Sequence, residues 1–164
     1  MLDTVRTPRH VPAGTGSPDL WWLGGRLTIK LTGADSDGRI GQFFIEDPHG
    51  TSAPLHVQTQ EEEEFFVLEG RMRFVVGEQR IDAGPGDIVL LPRGIPHTYV
   101  VTSERAKALV TVAPAGFEQF FADLGVPVEQ GVPRPQLPPP SPEAMGQALE
   151  PYGCRLVGPP LTVE

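Results

Sequence analysis

Between residues 20 and 114, glycine, proline and aspartate recur so closely that the chain is cut into short runs rich in β-branched and aromatic residues. Runs of this kind, bounded by turn chemistry, predict an antiparallel sandwich or barrel rather than long helices. The expected strands cover residues 23–31, 39–46, 55–59, 63–69, 72–76, 88–91, 98–102 and 106–112. Nineteen glycines and nineteen prolines among 164 residues keep the turns frequent, while 39% hydrophobic residues suffice to bury the core of one domain.

Individual turns can be argued from their residues. Glu69-Gly70 and Gly77-Glu78 place glycine where a tight link needs positive φ, which predicts a meander over 63–82. Pro85-Gly86-Asp87 and Pro92-Arg93-Gly94 bracket the strand 88–91. Residues 1–18, with Pro8, Pro12, Gly14, Gly16 and Pro18, read as an extended arm. Residues 19–114 form the barrel, and 115–164 a C-terminal section packing on it. In that section apolar residues at helical spacing predict a short helix over 117–124, ended by Gly125. The proline-rich stretch 126–142 is expected to run as an extended strap rather than a helix or paired strand, above all at Pro138-Pro139-Pro140. A last helix is expected over 142–151.

Charge narrows the partners. Twenty-one acidic against thirteen basic residues give a net charge of −8, which repels a phosphate backbone and an anionic bilayer, so neither nucleic acid nor membrane is expected. Cys154 stands alone, ruling out an internal disulfide. No signal-like start or apolar run of about 18 residues is visible, and the expected location is the cytoplasm.

The most specific pattern is an ordered pair of motifs. Gly50 is followed after five residues by His56, then Gln58, then after four residues by Glu63 and after six more by Gly70. Fifteen residues later Gly86 is followed by Pro92, Gly94 and His97. This pattern resembles the two motifs of the cupin superfamily, with departures at Gln58, where the family has His, and at Val101, where it has Asn. The starting segment 24–28, the helix at 115–118 and the ending from Tyr152-Gly153 to Pro160 also resemble bacterial single-domain cupins of the quercetin 2,3-dioxygenase-like group. The resemblance implies an all-β cupin double-stranded β-helix, a jelly-roll-like barrel with short C-terminal helices.

It also implies one divalent transition metal, Fe, Ni, Mn, Cu or Zn, held by His56, Gln58, Glu63 and His97, with Glu63 the catalytic group as ligand, general base or both. Two imidazoles and a carboxylate suit any of these ions. His56 and Gln58, two apart on a strand, must share a face. Glu63 shares its face with Phe65 and Val67, and Glu62 and Glu64 share theirs with Phe66 and Leu68; alternation does not choose between them, and the motif spacing selects Glu63. Glu61, Glu62 and Glu64 then read as a solvated strand end, and His10 and His49 as surface residues. Gln58 leaves three arrangements open: ligation through its carbonyl, a place behind a three-ligand site, or a site that no longer holds metal.

Trp22, Phe43, Phe65, Met72, Phe74 and Tyr99 are the expected pocket or core wall, suited to a planar apolar ligand. The function the resemblance implies is a metal-dependent oxygenase acting on a small aromatic, polyketide-like or enolisable compound. The alternatives are a non-redox cyclase, isomerase or lyase, as in secondary metabolism, or a small-molecule-binding protein. A homodimer is expected.

Overall fold

The computed structural model describes residues 7–136 and 138–164. The first sheet draws on β1 (Asp19–Trp22), β2 (Gly25–Leu31), β3 (Gly41–Pro48) and, after β4 (Pro54–Gln58), on β5 (Glu62–Glu69). Next come β6 (Met72–Val76), β7 (Gln79–Ala83), β8 (Ile88–Leu91), β9 (His97–Val101) and β10 (Arg105–Ala113). A single helical turn, α1 (Gly33–Ser36), separates β2 from β3. The C-terminal section holds α2 (Glu118–Leu124), β11 (Val126–Pro127), α3 (Pro142–Leu149) and β12 (Cys154–Pro160).

All pairings are antiparallel. Seven strands lie in the order β11-β1-β2-β3-β10-β5-β8, and five in the order β12-β4-β9-β6-β7. Each of the eight runs expected from the sequence overlaps a strand, and the all-β architecture is the one predicted. The cause is visible in the alternation: β10 buries Ala106, Ala108, Val110 and Val112, and β5 buries Glu63, Phe65 and Val67, every second residue turning inward. Between the sheets Phe65, Val67, Met72, Phe74 and Val110 are at most 3% exposed, and burial of each such side chain contributes about 1.5–3 kcal/mol.

Two expectations need correction. The stretch 63–82 is not one meander: β5 pairs with β10 and β8, whereas β6 pairs with β7 and β9 in the other sheet. Gly77 closes a hairpin, but the link at Gly70 is a corner between sheets, and turn chemistry alone does not distinguish the two. The strap is paired at its start, where β11 lies against β1. Pro127 is accommodated because β11 is the outermost strand and its missing N–H breaks no ladder. Within the expected arm, residues 1–6 lie outside the described residues, while Ser17 N–H donates to the Ile29 carbonyl (3.0 Å) and Ile29 N–H to the Pro18 carbonyl (3.0 Å), so this part runs along β2.

The helices follow local rules. Ser141 caps α3 by accepting from Ala144 N–H (3.2 Å), with Pro142 at the first helical position. Helix α2 buries Phe120 and Phe121, which, with Phe117 before it, join the hydrophobic core and pack against Trp22 and Phe43.

Gly70 and Gly86 both have positive φ, 78° and 93°, yet a Cβ at Gly70 would lie 2.0 Å from the Arg105 carbonyl oxygen and one at Gly86 would meet nothing within 4 Å. Gly86→Ala is therefore expected to cost about 1–2 kcal/mol from backbone conformation alone, and Gly70→Ala to cost about 1–3 kcal/mol more from the clash. Urea unfolding of the two variants measures both; equal losses would show that the corner yields.

Candidate metal centre

His56 and His97 are direct cross-strand partners between β4 and β9, with ring centroids 4.4 Å apart at 72°. Glu63 reaches them from β5 in the opposite sheet, its Oε2 3.6 Å from His97 Nε2. One ligand atom from each of the three residues can be chosen so that all lie within 4.8 Å of one another. The centre thus joins the two layers of the sandwich.

The imidazoles are held by the same device. His56 Nδ1 lies 2.7 Å from the Pro54 carbonyl and His97 Nδ1 2.9 Å from the Ile95 carbonyl, in each case two residues back along the chain. A carbonyl can only accept, so Nδ1 carries the proton and Nε2 offers its lone pair. His97 Nε2 is buried without a hydrogen-bond partner among the described residues. An inward lone pair lacking a donor, beside a second imidazole and a carboxyl group, is a donor set that a divalent transition metal fits.

Burial sets the protonation. It pushes Glu63 up to about 8, with the neighbouring Glu61 adding to the rise and Gln58 opposing it. It pushes His97 down to about 4, with His56 contributing, and also lowers His56. Near neutral pH the metal-free triad is therefore two neutral imidazoles and a protonated carboxyl, rather than a salt bridge.

Gln58 shares the face of His56, as expected from the strand, and is 0% exposed. It lies close enough to Glu63 to favour the ionised carboxylate, although neither amide atom completes a hydrogen bond. Glu61 is not solvated: it is 3% exposed, continues the inward row Glu61, Glu63, Phe65, Val67, and is raised to about 7 by burial and then by Glu118. Extending the alternation two residues back from Glu63 would have found it.

His56, Glu63 and His97 open onto a cavity in which the centre of a water-sized sphere can occupy about 70 Å³; Gln58 does not border it. Trp22, Phe43, Phe65 and Tyr99 line it. Met72 and Phe74 do not: both are 0% exposed, and Phe74 packs behind Phe65 and Tyr99 (ring centroids 5.2 and 6.1 Å). Phe117, Phe120, Phe121 and Met145 supply a wall from the C-terminal section. Asp47, one residue past the expected strand 39–46, is inward on β3 in the row Phe43, Ile45, Asp47 and also borders the cavity. His10 and His49 are exposed.

Residues 42–113 match the family model described as Cupin domain. The chain carries a cupin domain. Quercetin 2,3-dioxygenase of Bacillus subtilis (strain 168) is 35% identical over 92 residues, covering 54% of this chain and 27% of that protein. An uncharacterized protein of Streptomyces coelicolor is 28% identical over 75 residues, 46% of this chain and 69% of that one. The chain thus matches little more than a quarter of the dioxygenase's length. Among solved structures, Streptomyces PAC13 with uridine superposes with a TM-score of 0.56 at 19% identity, covering 69% of this chain and 88% of that one. KdgF from Halomonas sp. gives 0.53 at 14%, covering 58% and 84%. At such identities these likenesses show the cupin fold. No helix among the described residues is long and apolar enough to cross a membrane.

Metal uptake must remove the proton from Glu63, whereas His97 is already neutral above about pH 5. Ni²⁺ affinity, measured by calorimetry, is therefore expected to rise about tenfold per pH unit from 6 to 8 and then level off. Glu63→Gln should bind weakly and lose that slope; a slope of two protons would instead point to titrating histidines.

Proposed function

We propose that this cupin domain is a metal-dependent oxygenase acting on a small, single-ring aromatic or enolisable compound. The observation that carries the reading is a triad bordering a largely apolar cavity, one of its members an acid of raised pKa. The partial match to a quercetin 2,3-dioxygenase supports the reaction class. The cavity is small, about 70 Å³, which argues for substrates smaller than a three-ring flavonol.

In this reading His56, Glu63 and His97 hold the ion. A transition metal at such a centre supplies Lewis acidity toward an enol or phenol oxygen and, if redox-active, electrons for reaction with dioxygen. Glu63 takes the proton from the substrate hydroxyl on a carboxylate oxygen; a pKa of about 8 in the metal-free centre marks a group able to hold it. Phe43, Phe65 and Trp22 exclude water and flank the ring. Gln58, enclosed beside Glu63 rather than on the cavity surface, favours the ionised form of that carboxylate.

Oxygen uptake by the metal-loaded protein with a panel of single-ring enolones and phenols is the test. Glu63→Gln should lower kcat by about 10²-fold or more, and Gln58→Leu should weaken metal affinity about 10–100-fold. Substrate consumed equally fast under nitrogen would replace the oxygenase by a non-redox lyase, isomerase or cyclase. A protein that holds no transition metal after reconstitution would leave only a binding role.

A further inference from the structure

Asp47 breaks the rule of its own strand. It occupies the inward row of β3 after Phe43 and Ile45, is 5% exposed, and borders the cavity. Its Oδ2 accepts the Tyr99 hydroxyl at 2.9 Å. No cation neighbours it among the described residues, and burial raises its pKa to about 7 against the effect of that bond. The chain also makes room for it: a Cβ on Gly25 of β2 would lie 1.9 Å from Asp47 Oδ1, so only glycine fits there without displacing the carboxyl group. A carboxyl group seated this way, with one hydrogen bond from a side chain and none from a cap or turn, contributes nothing to the sheet that an apolar residue would not.

Its placement relative to the triad is defined. Tyr99 and His97 are two apart on β9 and both border the cavity, so the Asp47–Tyr99 pair and the candidate metal ligands share one cavity, separated by about 7 Å along the strand. We propose that Asp47, held by Tyr99, is a specificity-determining residue that accepts a hydrogen bond from a second hydroxyl group of the ligand, at the far end from the oxygens that meet the triad. The ligand class is then a single-ring enolone or phenol carrying a further hydroxyl across the ring. The inference rests on the proposed metal-centred reading for the near end of the ligand but needs no oxygen chemistry.

Kojic acid and allomaltol test it, because they share the same enolone and differ by one hydroxyl on the opposite side of the ring. Calorimetry under nitrogen with the Zn²⁺-loaded protein is expected to show kojic acid binding about tenfold or more tighter. Asp47→Ala should bring the ratio to about one with allomaltol affinity within about twofold of wild type, and Tyr99→Phe should reduce the ratio severalfold by releasing the carboxyl group. Equal affinity of the wild type for both compounds, no affinity for either, or an unchanged ratio in Asp47→Ala would overturn the inference. Failure of the oxygenase reading would appear separately, as absent oxygen uptake with the binding preference intact.

Discussion

The centre depends on one cross-strand pair. His56 stands opposite His97 between β4 and β9, and the strand period of two means that a one-residue slip would turn the slipped strand's imidazole to the other face, away from its partner. With the register fixed, the carbonyl two residues before each histidine can hold Nδ1, and both Nε2 atoms become available on the same side. Glu63 arrives from the opposite sheet, so its position depends on the β5–β10 pairing, in which Glu63 stands opposite Val112. Two sheets about 10 Å apart can bring these groups within ligand distance only because the side chains reach inward from both layers.

That pairing gathers acidic groups where they are costly. Asp47, Glu61 and Glu63 are each at most 5% exposed, and burial raises the pKa of all three, to about 7, 7 and 8. The net charge of −8 means that the rest of the chain does not offset them. Protonation is one way to neutralise such a cluster, and a divalent cation at the triad is another; the cation favours the ionised Glu63 and releases its proton. The Nε2 of His97 and the amide of Gln58 belong to the same group of polar atoms enclosed in an apolar sandwich, without a hydrogen-bond partner among the described residues.

Strand positions and inward faces were legible because they are local: alternation places Phe65 and Val67 inward, and glycines at 70, 77, 86 and 94 mark the breaks with positive φ. Neighbour relations were not. The corner at Gly70 looks like a hairpin turn until the long-range pairing of β5 with β8 and β10 is known. Motif spacing pointed to His56, Glu63 and His97, but it is blind to residues outside the motifs. Asp47 lies outside both motifs and just past the expected strand 39–46, and Glu61 was hidden by three neighbouring glutamates that suggested a charged strand end. In both cases counting alternate positions along the strand gives the right face, and the preference of carboxylates for water gives the wrong one.

The C-terminal section shows why a short helix and a proline-rich strap accompany this sandwich. Phe117, Phe120 and Phe121 make edge and stacked contacts with one another and with Trp22, at ring separations of 5.1–5.5 Å, and all four line the cavity that His56 and His97 also border. Trp22, Leu23 and Met145 face this cavity and also a larger groove beside it, bordered by the strap and α3. These three side chains therefore stand between the small cavity and that groove. The strands fix where the candidate ligands stand, while much of the apolar wall of the cavity they border is built by Trp22, Leu23, Phe117, Phe120, Phe121 and Met145, which lie beyond both motifs.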